Sequence, residues 1–352
     1  MIKRLKFIIS RQFNPYLNLA LEEYLLDNVK ADECILYLWQ NERTVVIGKN
    51  QNPWKECKVR ELEEDGGYLV RRLSGGGAVF HDLGNLNFTF LVQKHNYDVD
   101  RQLEVIIKAL KNLGIPAVKS GRNDITVDGR KFSGNAFYFD GNKCYHHGTL
   151  LVNVNMADLS RYLNVSREKL KSKGVDSVKS RVTNLIDHRE DLTIDLLRQK
   201  LVEAFSQVYG LPTQEIELDD IDSKDLEERR ERFASWDWLY GTKIPFVYNI
   251  AKRFPWGNLE LQINADKGKI SQCKVFSDSM DIDIIENIPK ALVGVVFSSA
   301  TMVKAIRSHM EEYVIGADNK YDFRSSKDYT SQDNYRQSII DDICNLILLE
   351  RL

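Results

Sequence analysis

The segment Arg71-Arg72-Leu73-Ser74-Gly75-Gly76-Gly77-Ala78-Val79-Phe80-His81 follows an apolar run at residues 68–71 that is typical of a strand. Its three glycines permit positive φ angles and let backbone N–H groups approach an anion closely, because no Cβ atom stands in the way. Arg71 and Arg72 offer planar, permanently charged groups for phosphate or carboxylate. The glycines alone are as typical of a flexible hairpin, and the flanking arginines favour a ligand-binding loop.

Two common phosphate-binding loops do not fit this segment. A P-loop ends in Gly-Lys-Ser/Thr, and no such ending follows these glycines. The spacing also differs from the G-x-G-x-x-G pattern that opens a helix in dinucleotide-binding folds. The segment therefore indicates an anion-binding loop of another kind.

Helical and strand-like patterns alternate on both sides of the loop. Upstream, residues 16–29 predict a helix, and the apolar runs 34–39 and 44–47, joined by the polar turn 40–43, predict a strand hairpin. A polar helix is predicted at 54–64. Downstream, the patterns predict strands at 86–92, 125–127, 131–139 and 144–152, and helices at 100–113 and 196–209. This interleaving predicts an α/β or α+β fold with a mixed sheet.

A domain boundary is predicted near residues 241–247, which separates a first domain, 1–243, from a second, 247–352. The second domain has predicted strands at 258–264 and 270–276 and helices at 288–295, 299–313 and 331–349. The charged stretch 225–233 before the boundary predicts a solvated helix face. The second domain is expected to be a small α+β module.

The composition excludes several classes of protein. The chain of 352 residues carries a net charge of −2, so nothing global favours nucleic acid or an anionic membrane as a partner. Its five cysteines are widely separated and form no C-x-x-C pair, which argues against a disulfide framework and fits a reducing cytosol. No apolar stretch is long enough for a signal peptide or a membrane span, so a cytoplasmic protein is expected.

Candidate charged groups follow the loop. Asp124, in Gly121-Arg122-Asn123-Asp124, could hold Mg²⁺, which takes one or two carboxylates together with substrate phosphates. Lys131, in Lys131-Phe132-Ser133-Gly134-Asn135-Ala136, could neutralise a carboxylate or an α-phosphate. Each of these residues alone is more typical of a turn or of a solvated strand.

Histidine, cysteine and tryptophan supply three further candidate residue types. His146 and His147 are adjacent on a predicted strand and point to opposite faces, so they cannot chelate one metal ion. Cys144 would share a face with His146, which leaves a Cys–His nucleophile conceivable, although buried cysteines are commonly inert. Trp39 ends an apolar strand and is more typical of the core than of the wall of a ligand site, although spacing alone does not decide.

Taken together, these segments resemble the lipoate–protein ligase A family. The resemblance runs from about residue 10 to beyond residue 280, and its ordered set of motifs is specific where a single glycine run is not. The matching segments are 71–85, Gly121-Arg122-Asn123-Asp124, Lys131-Phe132-Ser133-Gly134-Asn135-Ala136, His146-His147-Gly148-Thr149-Leu150-Leu151, residues 45–54, 173–175, 177–185 and 236–238.

The resemblance implies a catalytic domain of the fold shared with biotin protein ligases and a small C-terminal accessory domain. It also implies two half-reactions: lipoate and MgATP give lipoyl-adenylate and pyrophosphate, and the lipoyl group then passes to a lysine of an acceptor domain. The implied acceptors are the E2 subunits of 2-oxoacid dehydrogenases and the glycine cleavage H protein. The protein is expected to act as a monomer.

The resemblance also assigns roles to residues. It implies that Lys131 is catalytic and contacts the carboxyl and α-phosphate oxygens, and that Trp39 helps to wall the tunnel for the acyl chain. Asp124 remains the expected Mg²⁺ ligand. The residues expected to hold the adenylate are Arg72, Ser74, Gly77, Ala78, Val79 and Phe80.

Three alternatives stay open. An ATP-independent octanoyl- or lipoyl-transferase of the same fold would need an activating lysine or cysteine but no nucleotide. A biotin protein ligase is disfavoured because its Gly-Arg-Gly-Arg type of loop is missing. A non-catalytic protein that holds an acyl-adenylate is disfavoured by the presence of Arg72, Asp124 and Lys131.

Overall fold

The computed structural model describes residues 1–120, 124–164, 182–241, 248–315 and 329–350. The chain folds into two compact units, and neither is continuous in sequence. The first unit contains Met1–Ile47, Pro53–Arg72 and Ala78–Leu239. The second contains Tyr240–Leu352 together with two short segments from earlier in the chain, Gly48–Asn52 and Leu73–Gly77. The predicted boundary at 241–247 lies almost wholly outside the described residues.

The first unit is built on an eight-stranded mixed sheet, which confirms the predicted fold class. Its strands are β1 (Arg4–Ile9), β2 (Glu33–Trp39), β6 (Asn85–Gln93), β7 (Val118–Ser120), β8 (Asp124–Val127), β9 (Arg130–Asp140), β10 (Lys143–Leu151) and β11 (Thr213–Glu215). Their order across the sheet is β11-β1-β2-β6-β10-β9-β8-β7. Pairing is parallel between β1 and its two neighbours and antiparallel from β2 onwards.

A smaller sheet in the same unit carries the start and the end of the glycine segment. Its strands are β3 (Thr44–Ile47), β4 (Tyr68–Arg71) and β5 (Val79–His81), in the order β4-β3-β5. The predicted hairpin between 34–39 and 44–47 is therefore wrong, because β2 and β3 lie in different sheets. The connection is held elsewhere: the Asn18 amide donates to Gln40 O (2.7 Å) and Asn41 Oδ1 (3.0 Å), and Glu42 N donates to Phe13 O (3.1 Å).

Local signals account for the helices of this unit. Asn14 caps the first helix by accepting from Tyr16 N and Leu17 N, and Pro15 occupies its first turn. The helix predicted at 54–64 is two short helices, interrupted where Cys57 pairs with Leu163. The helices are α1 (Pro15–Asn28), α2 (Pro53–Glu56), α3 (Val59–Glu64), α4 (Val99–Asn112), α5 (Met156–Tyr162), α6 (Ile194–Tyr209), α7 (Ser223–Ala234) and α8 (Trp236–Tyr240).

The charged helix α7 is more than a solvated face. Arg229 is only 19% exposed and forms ion pairs with Glu23 (3.1 Å) and Asp27 (2.6 Å) of α1. Arg232 also pairs with Glu23. The charge pattern therefore joins two helices as well as facing water.

The second unit contains a three-stranded antiparallel sheet and three helices. Its strands are β12 (Tyr248–Phe254), β13 (Gly257–Asp266) and β14 (Lys269–Ser277), and its helices are α9 (Ile282–Leu292), α10 (Ser299–Ile315) and α11 (Tyr329–Leu349). Strand β12 was not predicted, and α9 begins six residues before the predicted start at 288, because Asp281 caps it by accepting from Ile284 N. No helix in the described parts of the chain combines the length and apolar character of a membrane span.

Candidate functional site

The two arginines before the glycines have different surroundings. Arg71, at the end of β4, donates from Nε to Trp238 O (2.9 Å) and Leu239 O (3.2 Å), and Trp238 Nε1 donates back to Arg71 O (2.9 Å). Its guanidinium therefore fixes helix α8. The expectation that Arg71 offers its charge to a ligand is not supported by this geometry.

Arg72 is a buried cation in the first unit. Only 6% of its surface is exposed, and Nη1 donates to Val46 O (3.3 Å). Burial lowers the pKa of its guanidinium to about 10, although Tyr145 and Glu22 act to raise it. The group therefore stays protonated at neutral pH. A permanently charged, buried group of this kind is suited to a carboxylate or phosphate.

Trp39 belongs to a buried polar chain near Arg72. Its indole Nε1 donates to Thr89 Oγ1 (3.1 Å), and the Thr89 hydroxyl donates to Glu22 Oε1 (2.7 Å). The same carboxylate oxygen lies 2.9 Å from Nδ1 of His147. Glu22 is 1% exposed, so this chain holds the indole of Trp39 in one orientation from inside the unit.

His81, the last residue of the glycine segment, lies edge-on to Trp39 with the ring centroids 6.2 Å apart. Burial first, and then the charges of Arg72 and His147, lower its pKa to about 3, so the ring is neutral. Nδ1 accepts from the Asn41 amide (3.3 Å), which places the proton on Nε2. Nε2 is buried and has no hydrogen-bond partner among the described residues, and it can donate to a ligand atom.

The middle of the glycine segment, Leu73–Gly77, is part of the second unit. Ser74 is fully buried, and its carbonyl accepts from Lys49 N (2.9 Å). Gly76 alone of the three glycines has a positive φ, 92°. A Cβ on Gly77 would meet no described atom within 4 Å.

The rest of the segment returns to the first unit as β5, which pairs antiparallel with β3. Phe80 is buried and packs on Tyr162, with the ring centroids 5.4 Å apart. Ala78 and Val79 are partly exposed. The side chain of Phe80 is thus used in the core, so Phe80 can offer a ligand only its backbone atoms.

Lys131 and Asp124 form an ion pair at the hairpin of β8 and β9. Lys131 Nζ lies 2.7 Å from Asp124 Oδ1, and each side chain is about two-fifths exposed, 40% and 41% respectively. The backbone of Lys131 is fixed by Thr183, whose N–H donates to the Lys131 carbonyl (3.0 Å). A Cβ on Gly134 would lie 3.2 Å from Lys131 Nζ, so the glycine leaves room for the ammonium group.

The two adjacent histidines do face opposite sides of β10, as predicted. His146 lies between Gln102 Oε1 (3.0 Å) and Asn135 Oδ1 (2.9 Å), whereas His147 contacts Glu22. Cys144 is fully buried, and burial raises the pKa of its thiol to about 12. A Cys144–His146 nucleophile is therefore disfavoured.

The structure thus groups the predicted residues into sets. Arg72 and Trp39 lie with Glu22, Thr89, His81 and His147, and Lys131 lies with Asp124. Glu22, Thr89 and His81 were not predicted as site residues. In the structure Glu22 is the one acid among the buried residues of α1, and helical spacing in the sequence does not separate it clearly from the adjacent Glu23. Residues 121–123 and 173–181 of the matching motifs lie outside the described residues.

Family models match most of the chain. The lipoyl protein ligase A/B catalytic domain matches residues 14–206, and the bacterial lipoate protein ligase C-terminus matches residues 243–324. A curated relative from Psychrobacter cryohalolentis, lipoate-protein ligase A, is 41% identical over 302 residues, which cover 84% of this chain and 89% of the relative.

Solved structures are similar over comparable lengths. P. falciparum LipL1 in complex with lipoate has a TM-score of 0.79 at 31% identity and covers 97% of this chain and 99% of its own. The bipartite lipoate protein ligase of an archaeal lipoylation system with an E2 lipoyl domain, from Thermoplasma acidophilum, has a TM-score of 0.60 at 28% identity and covers 70% and 100%. A lipoate-protein ligase A bound with ATP has a TM-score of 0.57 at 26% identity and covers 68% and 99%.

Proposed function

The chain belongs to the lipoate–protein ligase A family and is a ligase, and we propose that it activates lipoate with ATP and transfers the lipoyl group to protein lysines. The first step joins the lipoate carboxylate to the α-phosphorus of ATP and releases pyrophosphate. In the second step the lysine amine of an acceptor attacks the acyl carbon and AMP leaves. Residues 1–243 carry both steps in this proposal, and residues 247–352 have an accessory role.

The observation that carries the proposal is the buried guanidinium of Arg72 beside the chain from Trp39 to Glu22 and His147. A carboxylate that attacks a phosphate brings two anions together, so catalysis depends on charge neutralisation and alignment. Arg72 supplies one fixed positive charge and Lys131 a second. The apolar face of Trp39 suits the acyl chain, and the Gly77–Phe80 backbone suits the adenylate. Similarity to the lipoate-bound and ATP-bound structures supports both ligands.

Asp124 fits the proposed Mg²⁺ only as a single ligand. Mg²⁺ commonly takes one or two carboxylates and completes its shell with water and substrate phosphates, so one aspartate suffices. Within the described residues no group of three or more metal-ligating side chains occurs. A bound Mg²⁺ would neutralise phosphate charge. Asp124 in turn keeps the Lys131 ammonium in place at 2.7 Å.

The acceptors in this proposal are the lipoyl domains of 2-oxoacid dehydrogenase E2 subunits and the glycine cleavage H protein. The archaeal lipoylation system, which combines a ligase with an E2 lipoyl domain, supports the first class. The H protein is included because its acceptor group is a lysine amine, the same nucleophile as in the E2 lipoyl domains. Lipoylation of the two purified acceptors, measured side by side, tests this part of the proposal.

The deciding experiment is ATP–pyrophosphate exchange with lipoate, octanoate and biotin, in wild type and in Lys131→Ala. Lys131→Ala should abolish exchange and leave the thermal unfolding temperature unchanged, because the side chain is 40% exposed. Lys119→Ala is the matched control, since Lys119 lies two strands away on β7 in an ion pair with Asp100 (2.8 Å), and it should retain exchange. Near wild-type exchange by Lys131→Ala would refute the role of Lys131.

The alternatives predict other results of the same experiment. An ATP-independent transferase would show no lipoate-dependent exchange in the wild type and would accept a lipoyl or octanoyl group from a carrier. A non-catalytic adenylate-binding protein would bind synthetic lipoyl-adenylate but would not transfer it to an acceptor.

A further inference from the structure

The glycine loop, Leu73–Gly77, rests on the turn between β14 and α9 in the second unit. Gly76 N donates to Ser279 O at 3.3 Å. The approach is so close that a Cβ on Gly75 would lie 2.5 Å from the same carbonyl oxygen. Gly75 is therefore required by Ser279, because a side chain there would push the loop off the turn.

The neighbouring segment Gly48–Asn52 supports the loop from another direction. Lys49 N donates to Ser74 O (2.9 Å), and a Cβ on Gly48 would lie 2.3 Å from Gly76 O. This segment is itself fixed to the second unit, because Ser277 N donates to Asn50 O (2.8 Å) and Lys49 Nζ lies 3.1 Å from Glu286 Oε1. The position of the loop thus depends on the turn at residues 277–281.

Side chains within the turn set the direction of the Ser279 carbonyl. Ser277 Oγ accepts from Ser279 N (3.0 Å), and Ser279 Oγ accepts from Asp281 N (3.2 Å). Asp281 Oδ1 then accepts from Ile284 N (3.2 Å) at the first turn of α9. Asp281 is 1% exposed, so it is the buried end of this series.

The side chain of Arg336 on helix α11 holds Asp281. Arg336 donates from Nε to Asp281 Oδ2 (2.7 Å) and from Nη2 to Oδ1 (3.2 Å), and Arg336 itself is only 9% exposed. Two parallel hydrogen bonds between planar groups fix both the distance and the orientation of the carboxylate. Arg336 lies beyond residues 243–324, the part that matches the C-terminal family model.

We propose that Arg336 is a positioning residue for nucleotide binding, which holds the glycine loop in its ligand-ready form through Asp281 and Ser279. Its effect on catalysis rests on the proposed function, while its effect on the loop does not. Loss of the Arg336 fork frees the Asp281 carboxylate, the turn relaxes, and the Ser279 carbonyl no longer meets Gly76 N. The loop must then become ordered when ATP binds, and the entropy lost in this ordering lowers the affinity for ATP. The affinity for lipoate is unaffected.

Hydrogen exchange of full-length protein without ligands tests the structural part. In Arg336→Gln, peptides that cover 73–77 should exchange at least tenfold faster than in wild type, while peptides that cover 339–347 in the core of the unit stay protected. Arg336→Lys keeps the charge but loses the fork and should give a smaller effect. The matched control is Arg307→Gln, whose ion pair with Asp341 (2.8 Å) joins α10 to the same helix α11 at 43% and 42% exposure, and which should leave the loop unchanged.

Steady-state kinetics tests the functional part. Arg336→Gln should raise KM for ATP by about tenfold and change KM for lipoate by less than twofold, since the unit with Trp39 is untouched. A purely structural role would lower the amount of active enzyme without moving either KM. If Arg336→Gln also exposes 339–347, Gly75→Ala replaces it, because it breaks the same contact from the loop side and leaves Arg336 intact.

The proposal is overturned if residues 73–77 of Arg336→Gln exchange hydrogen at the wild-type rate. If Arg336→Gln unfolds the second unit, the same result in Gly75→Ala overturns it. Faster exchange with an unaltered KM for ATP also overturns it. Absence of pyrophosphate exchange in the wild type would instead refute the proposed function. In that case two measurements still decide the role of Arg336: hydrogen exchange of residues 73–77 and the affinity for ATP measured by titration calorimetry in wild type and Arg336→Gln.

Discussion

The buried imidazole of His146 should make the first unit sensitive to mild acid. His146 is fully buried on β10 between Gln102 and Asn135, and its ring stacks on Phe137 with the centroids 4.9 Å apart. Burial lowers its pKa from 6.5 to about 3. His81 has the same shift, chiefly because of burial. Both rings are therefore neutral in the folded protein throughout the mildly acidic range.

The sign and the size of the effect follow from these pKa values. The unfolded chain protonates both imidazoles below about pH 6.5, whereas the folded chain does so only near pH 3. Between these values the unfolded state binds more protons, so the free energy of unfolding falls as the pH falls. At about 1.4 kcal/mol per pKa unit, each histidine should remove about 1.2 kcal/mol between about pH 7 and about pH 5.5.

The assay is urea denaturation at these two pH values, with hydrogen exchange of β10 reporting the first unit, because two units need not unfold together. His146→Gln should show an acid-induced loss smaller than that of the wild type by about 1.2 kcal/mol. His95→Gln is the control, since His95 is exposed and should leave the wild-type loss unchanged. A His146→Gln variant with the full wild-type loss would refute the assignment of a neutral, buried His146.

Two further predictions concern charged groups in the first unit. Arg71→Lys should lower the free energy of unfolding by about 1–3 kcal/mol, because lysine cannot contact both carbonyls of α8. The same variant should leave KM for ATP unchanged. A higher KM for ATP in a fully stable variant would show that Arg71 belongs to the ligand site. Glu22→Gln should raise KM for lipoate by about tenfold and spare KM for ATP, because it removes the charge that faces His147 and loosens the chain to the indole. The matched control is Glu33→Gln, because Glu33 is a buried carboxylate at the start of β2 that pairs with Lys6 (3.0 Å). An equal effect of both variants on KM for lipoate would contradict a specific role of Glu22.

Elements whose signals lie within a few residues were predicted from the sequence. The helices predicted at 100–113 and 196–209 both end before a glycine with a positive φ, 78° at Gly114 for α4 and 69° at Gly210 for α6, and such glycines commonly end helices. The strands β8, β9 and β10 were found within two residues of their bounds, because Gly-containing turns separate apolar runs. These signals need no knowledge of the rest of the chain.

Pairing between distant segments could not be predicted in the same way. All residues of β2 and β3 are buried, so an alternating pattern that would reveal a shared face is missing from both strands. The intervening turn then suggested a hairpin. What separates the two strands is Asn18, more than twenty residues away, whose amide holds Gln40 and Asn41.

The candidate site shows the same division. Arg72, Lys131 and Asp124 could be singled out because motifs carry them. Glu22 acquires its role only when α1 packs against β6 and β10, since its partners Thr89 and His147 lie 67 and 125 residues away. The sequence shows two adjacent acids, Glu22 and Glu23, and neither the buried one nor its partners can be identified from it.

The three glycines of the loop illustrate why a motif can locate a site without explaining it. In sequence they are equivalent, and all three were interpreted as permitting close approach of an anion. In the structure Gly75 is required by the Ser279 carbonyl and Gly76 by its positive φ, whereas a Cβ on Gly77 would meet no described atom within 4 Å. Gly75 and Gly76 thus serve the loop itself, and of the three only Gly77 leaves room for a side chain among the described residues. Alanine at Gly75 should therefore displace the loop, whereas alanine at Gly77 should leave the loop in place and obstruct only what binds there.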